Sequence, residues 1–379
     1  MAIEQDLEAV RATHNLPPFV AAATKDGALI HQSAHGVRNE TSGAPMSLDT
    51  VFRIYSMTKA VTATAILQLA ERGALELDAP ASRYAPELDQ VRVLTGFDAD
   101  GAPRLRAPLR APTVRHLLTH SSGFGYTLWN GDLLRYAGWA AQSGAPFNPM
   151  LDLPLAFDPG TMWEYGVGLD WAGRVVERVS GLGLDAYFEH NIFAPLGMSD
   201  TGFAVTPAMN TRLAESYRRG EGGALVRSPR GEPVAPTFLS GGGGLFGSPA
   251  DYLAFLAVFS GGARTAILKP ETIALMTRAD SGAPPLRTLG TVMPPVTNDL
   301  NLWGGEDMAW SLAFLVNRAS GANGRAAGSL AWAGLANTYY WVDPSNGLAA
   351  VLMMQLSPFA DSGALALLGA FERALYAAL

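Results

Sequence analysis

The 379-residue sequence contains no cysteine. Disulfides, thiolate nucleophiles, cysteine-ligated zinc and iron–sulfur clusters are therefore excluded. Charge is scarce as well. Asp, Glu, Lys and Arg together make up 16% of the chain, against about 25% in an ordinary soluble protein. The net charge is −7 and no basic stripe is present, so a nucleic-acid partner is not expected. No apolar run approaches the roughly 18 residues of a membrane span. The opening residues, Met-Ala-Ile-Glu-Gln-Asp-Leu-Glu, lack a basic and then apolar leader, which points to a cytoplasmic location. Lysine occurs only at Lys25, Lys59 and Lys269. Where arginine supplies almost every cation, each lysine calls for its own explanation.

The hydrophobic fraction of 48% is enough for a substantial core. Apolar spacing predicts helices over 3–14, 57–73, 113–120, 131–142, 168–180, 184–193, 249–260 and 362–378. The last-but-one is marked by Ser248 as N-cap, Pro249 at the first helical position and Asp251 in the first turn. Residues 19–24 and 28–34 read as a hairpin turned at Lys25-Asp26-Gly27. Later runs at 309–316, 328–333, 337–342 and 348–356 read as strands. Segments 220–236 and 279–300 are rich in Gly and Pro and read as loops. The expected fold is α+β, an α/β sandwich: an antiparallel sheet built from both chain ends and flanked by helices. Residues 1–80 and 240–379 form that domain, and 81–239 form an inserted, mainly helical one with little strand signal.

Three places could carry chemistry. Ser56-Met57-Thr58-Lys59 opens the helix 57–73, and residues three apart share a helix face. Ser56 could be a plain N-cap and Lys59 a solvated side chain. Yet residues 60–70 are apolar nearly all round, as in a buried helix. A lysine at the head of such a helix is costly unless it is used, and burial would lower its pKa toward that of a base. Tyr165 follows a loop rich in Gly, Pro and aromatics just before the helix 168–180. It is a candidate base if cationic neighbours depress its phenol, and a packing residue otherwise. Trp332-Ala333-Gly334-Leu335 lies on a strand, where Gly334 would let a substrate approach the edge and a backbone N–H could serve an oxyanion.

Other readings are weaker. His116 and His120 are spaced i, i+4 but lack the glutamate of a metal-binding helix and a third ligand, so no metal is expected. No G-x-S-x-G elbow occurs. Gly241–Gly244 lacks the Gly-Lys-Ser/Thr of a phosphate loop. Phe124, Tyr126 and Trp129 are candidates to line an acyl pocket or simply to pack.

In this order, the elements resemble the serine β-lactamase and penicillin-recognising superfamily. They are most similar to class C β-lactamases and the related family VIII carboxylesterases. Leu117-Leu118-Thr119-His120-Ser121-Ser122-Gly123, Pro159-Gly160, Pro195-Leu196-Gly197-Met198 and the Gly-rich turn before Ser248 extend the likeness over about residues 10–375. The resemblance implies Ser56 as nucleophile, Lys59 and Tyr165 as acid/base groups, and the N–H groups of Ser56 and Leu335 as oxyanion hole. It implies no cofactor. Two departures bear on substrate. Val167 stands where class C enzymes carry an asparagine, and Trp332-Ala333-Gly334 replaces their Lys-Thr-Gly. Both remove groups that hold an anionic amide. The expected activity is hydrolysis of small to medium uncharged carboxylic esters, with Trp332, Gly334, Tyr126 and Val167 near the substrate. A β-lactamase, D-amino-acid peptidase or acyltransferase on the same serine is the alternative, and a non-catalytic binding scaffold a third. The sequence leaves the oligomeric state open.

Overall fold

The computed structural model describes residues 2–228 and 234–379. Its centre is a seven-stranded antiparallel sheet. The strands run in the order Met308–Trp310, Leu315–Asn317, Leu330–Gly334, Thr338–Asp343, Leu348–Met353, Phe19–Lys25 and Ala28–His35. The N-terminal hairpin therefore completes a sheet begun by the C-terminal strands. Phe19–Lys25 pairs with Leu348–Met353, so that Ala22 lies opposite Val351.

Successive side chains on a strand point to opposite faces, and Thr338–Asp343 shows what covers each. Tyr340 meets Tyr252 of the helix Pro249–Ser260 on one face. Trp341 meets Phe371 of the terminal helix Ser362–Ala377 on the other. The first helix, Ala2–Thr13, packs beside that terminal helix. Residues 81–239 supply none of the seven strands. They carry the helices Val114–Leu118, Gly131–Gln142, Gly168–Ser180 and Leu184–Phe188, the last continuing through a π turn at Glu189–Phe193. Among the described residues, no helix is long and apolar enough to cross a membrane.

The helix Thr58–Glu71 is buried along Thr58 to Leu69 on every side, as its apolar surface requires. Its buried polar residues each find a partner, though Gln68 Oε1 is left without one. Thr62 donates to the Gly241 carbonyl at 2.7 Å, and Gln68 donates to the carbonyls of Asn191 and Ile267.

Several expectations need correction. The run 309–316 is two strands, not one. Ser311 Oγ accepts the N–H groups of Ala313 and Phe314 and turns the chain between them. Segment 81–239 carries two short strand pairs that were not expected. Val93–Phe97 pairs with Pro103–Arg106, and Tyr217–Arg219 pairs with Leu225–Arg227. The latter pair lies partly in the segment expected to be a loop, 220–236, of which 229–233 fall outside the described residues. These strands are only three to five residues long, too short for an apolar alternation to mark them. The helices Pro207–Arg212 and Pro270–Thr277 went unread. The latter begins behind Pro270, which fits its first turn.

Candidate active site

The two-residue strand Phe52–Arg53 pairs with Phe246–Gly247 and carries the chain to Tyr55. Tyr55 has φ +44°, a left-handed conformation that costs a side-chain-bearing residue roughly 1–2 kcal/mol. One tight turn, Tyr55–Met57, follows, and the α-helix starts at Thr58. Ser56 thus stands in a turn ahead of the helix rather than in it. The strained residue beside it sets the serine at the wall of a cavity of about 880 Å³.

Lys59 reaches back one turn. Its Nζ donates to Ser56 Oγ at 3.1 Å, to the Tyr126 hydroxyl at 2.9 Å and to the Gly242 carbonyl at 2.7 Å. With its three donors used and the side chain 1% exposed, it is no solvated lysine. Burial pushes the amine down to about 7, against the pull of the Asp170 carboxylate.

Tyr165 arrives from the segment before the helix Gly168–Ser180. Its ring centroid lies 4.7 Å from Lys59 Nζ, and its hydroxyl accepts the Trp332 indole N–H at 3.0 Å. Burial raises the phenol well above its ordinary range, while hydrogen bonds to Ser56 and Trp332 act the other way. A phenol depressed by cationic neighbours is therefore not what the site contains. Desolvation dominates, and the Asp170 carboxylate acts in the same direction. The loop is stitched at Glu164, which accepts Asn130 Nδ2 at 2.7 Å and pairs with Arg287.

Two residues that sequence reasoning missed complete the site. Asp170 is fully buried in the first turn of its helix. It accepts Ser240 Oγ at 2.5 Å and the Gly242 N–H at 3.1 Å, so one residue, Gly242, links it to the Lys59 ammonium. Burial raises its pKa, and Lys59 opposes that rise. An acid near a helix start looks like routine dipole complementation, which hid it. Arg53 lines the cavity with its guanidinium 4.5 Å from the Tyr55 ring centroid and 5.9 Å from that of Phe246.

The structure gathers Ser56, Lys59, Tyr165 and Tyr126 as expected neighbours. Leu335, Tyr126 and Trp129 line the cavity, whereas Phe124 packs on Trp171 instead. Three residues expected beside substrate are placed differently. Val167 is wholly buried and outside the cavity wall. Trp332 is buried behind Tyr165 and reaches the site only through its N–H. Gly334 does not open the strand to substrate. A Cβ there would lie 2.3 Å from both the Ile54 carbonyl oxygen and Thr338 Oγ1, so the missing side chain seats the strand end against the serine-bearing turn. That contact brings the Leu335 backbone to the same cavity as Ser56. His116 accepts the Thr113 N–H in a capping box, while His120 lies buried against Tyr165.

Comparison with known proteins places the chain among relatives that match it over most of its length. The monacolin J acid methylbutanoyltransferase of Aspergillus terreus is 34% identical over 351 residues, covering 88% of this chain and 83% of that protein. Esterase EstB of Burkholderia gladioli is 32% identical over 385 residues, covering 94% and 90%. The unliganded structure of simvastatin synthase (LovD) from Aspergillus terreus superposes with a TM-score of 0.86 at 31% identity, covering 100% of this chain and 98% of that one. The family model described as Beta-lactamase matches residues 3–374, and the chain belongs to that family.

Proposed function

We propose that the protein is a serine carboxylesterase that works through an acyl-Ser56 intermediate. The observation that carries this reading is the buried Lys59 amine, held 3.1 Å from Ser56 Oγ and brought down to about 7. A neutral amine takes the Ser56 proton as Oγ bonds to the ester carbonyl carbon. The carbonyl oxygen becomes an oxyanion facing the N–H groups of Ser56 and Leu335. The C–O bond to the alcohol then breaks. The Tyr165 phenol gives its proton to the departing oxygen and is reprotonated from Lys59. Water repeats the sequence on the acyl-enzyme and frees the acid.

Intact-mass measurement after a brief pulse of p-nitrophenyl butyrate tests the reading. Wild type should gain one butyryl group and Ser56→Ala none. An adduct retained in Ser56→Ala, or none in wild type, would overturn it. A chromogenic cephalosporin in parallel measures the lactamase alternative.

Arg53 favours a second reading, acyl transfer to an acidic acceptor. Among the described residues, its guanidinium rests on aromatic rings at the cavity wall rather than on a carboxylate. Relatives are named for transfer to monacolin J acid and to ML-236A carboxylate. Ester formation from a hydroxy acid added to the acyl-enzyme, lost in Arg53→Ala, would establish it.

A further inference from the structure

Tyr165 lies in an irregular segment, so no helix or sheet ladder holds its backbone. The phenol must nevertheless stay within reach of Ser56 and Lys59. One residue grips the backbone N–H groups of both of the tyrosine's neighbours. The His120 carbonyl accepts the Glu164 N–H at 2.9 Å, and His120 Nδ1 accepts the Gly166 N–H at 3.5 Å. The imidazole also lies against the Tyr165 ring, with centroids 4.7 Å apart.

His120 is a costly choice for mere packing. It has φ +55°, and it is 1% exposed. Its Nε2 is buried without a hydrogen-bond partner. A buried unsatisfied N–H costs about 1–3 kcal/mol. The walls around it are Trp163 and Trp310, which a phenylalanine ring would fill without that penalty. What imidazole offers and phenyl does not is an acceptor for the Gly166 N–H. Burial and the Lys59 charge keep the ring neutral, so that acceptor persists.

We propose that His120 is a positioning residue that fixes the Tyr165 phenol on Ser56 and Lys59 by holding the backbone N–H groups of Glu164 and Gly166 to either side of it. The inference rests on the acyl-Ser56 reading, and it concerns a residue without direct contact to the ester.

The test compares His120→Asn with His120→Phe in steady-state hydrolysis of p-nitrophenyl butyrate, with melting temperatures measured alongside. Asparagine tolerates positive φ and places an acceptor oxygen near the lost Nδ1. Phenylalanine keeps the ring volume and loses the acceptor. Positioning predicts kcat within about 5-fold of wild type for His120→Asn and at least about 20-fold down for His120→Phe, with KM changed less than about 3-fold. A purely structural role predicts the reverse order, because Asn leaves a void. That reversed order, or equal kcat values, would overturn the proposal. In a Tyr165→Phe background, His120→Phe should cost no further kcat, and an additive loss would also refute it. Should His120→Phe not fold, His120→Leu lacks the acceptor equally and carries the comparison. Absence of an acyl adduct in wild type would instead count against the esterase reading itself.

Discussion

Asp170→Asn isolates the charge that opposes burial at Lys59. Asparagine keeps an oxygen for Ser240 and for the Gly242 N–H, so the connection from residue 170 through Gly242 to the amine survives while the charge goes. Across one intervening residue, at an effective dielectric of about 20, an opposite charge is worth on the order of 2 kcal/mol. That is about 1.5 pH units. The sign follows from which form the carboxylate favours. A negative Asp170 stabilises the ammonium, so removing it makes the amine easier to deprotonate.

For wild type, kcat/KM for a neutral ester should fall on the acid side with an apparent midpoint near 7, as the base becomes protonated. In Asp170→Asn that midpoint should move down to roughly 5.5. At pH 5.5 the variant would hold a roughly fifteen-fold larger share of free base than wild type. The assay is initial-rate hydrolysis from pH 5 to 9 with a substrate that does not titrate there. A midpoint that stays in place would show that Asp170 bears no charge on the amine. One that moves upward would refute the electrostatic reasoning outright.

Two other outcomes follow from burial. The Lys59 amine sits near 7 in the folded protein and about 10.4 when unfolded, so between those values the unfolded chain binds more protons and folding stability rises with pH. Chemical denaturation at pH 7.5 and 9 should give wild type about 2 kcal/mol more at the higher value, relative to Lys59→Met. Equal slopes would mean that the amine is not depressed. Val167→Asn should not confer lactam turnover, because the side chain faces packed core and not the cavity. It should instead cost about 1–3 kcal/mol through an unsatisfied buried amide. A folded, cephalosporin-hydrolysing Val167→Asn protein would contradict this.

What was legible in the sequence was what local chemistry dictates. The helices Gly131–Gln142 and Pro249–Ser260 match their expected bounds because Asn130 and Ser248 cap them through side-chain oxygens. Gly168–Ser180 ends where Gly181 adopts φ +73°. Ser56 and Lys59 were legible for the same reason, since a spacing of three implies proximity. Tyr165 was placed beside them by resemblance, because 106 positions of chain separate it from Lys59 and no periodicity spans that gap. Asp170 was invisible for a different reason. Its neighbours Leu169, Trp171 and Ala172 announce a buried helix face, but only the fold brings Gly242 between it and the amine. Gly334 was noticed and misassigned. A glycine on a strand marks close approach by something, and the visitor here is the protein's own Ile54 carbonyl.

Burial explains how two candidate bases acquire different parts in the proposed mechanism. Desolvation disfavours the charged form of any group. For lysine the neutral form is the base, so the same dry pocket that depresses Lys59 prepares it to accept a proton. For tyrosine the neutral form is the acid, so raising the Tyr165 phenol keeps its proton in place for a leaving alcohol. Asp170 then sets how far the amine is carried, since without an opposing charge the same burial would take it lower still. The assignment of base and acid thus comes from one environment acting on two chemistries, and Tyr126, bound to the same amine, is held in its protonated form by that environment too.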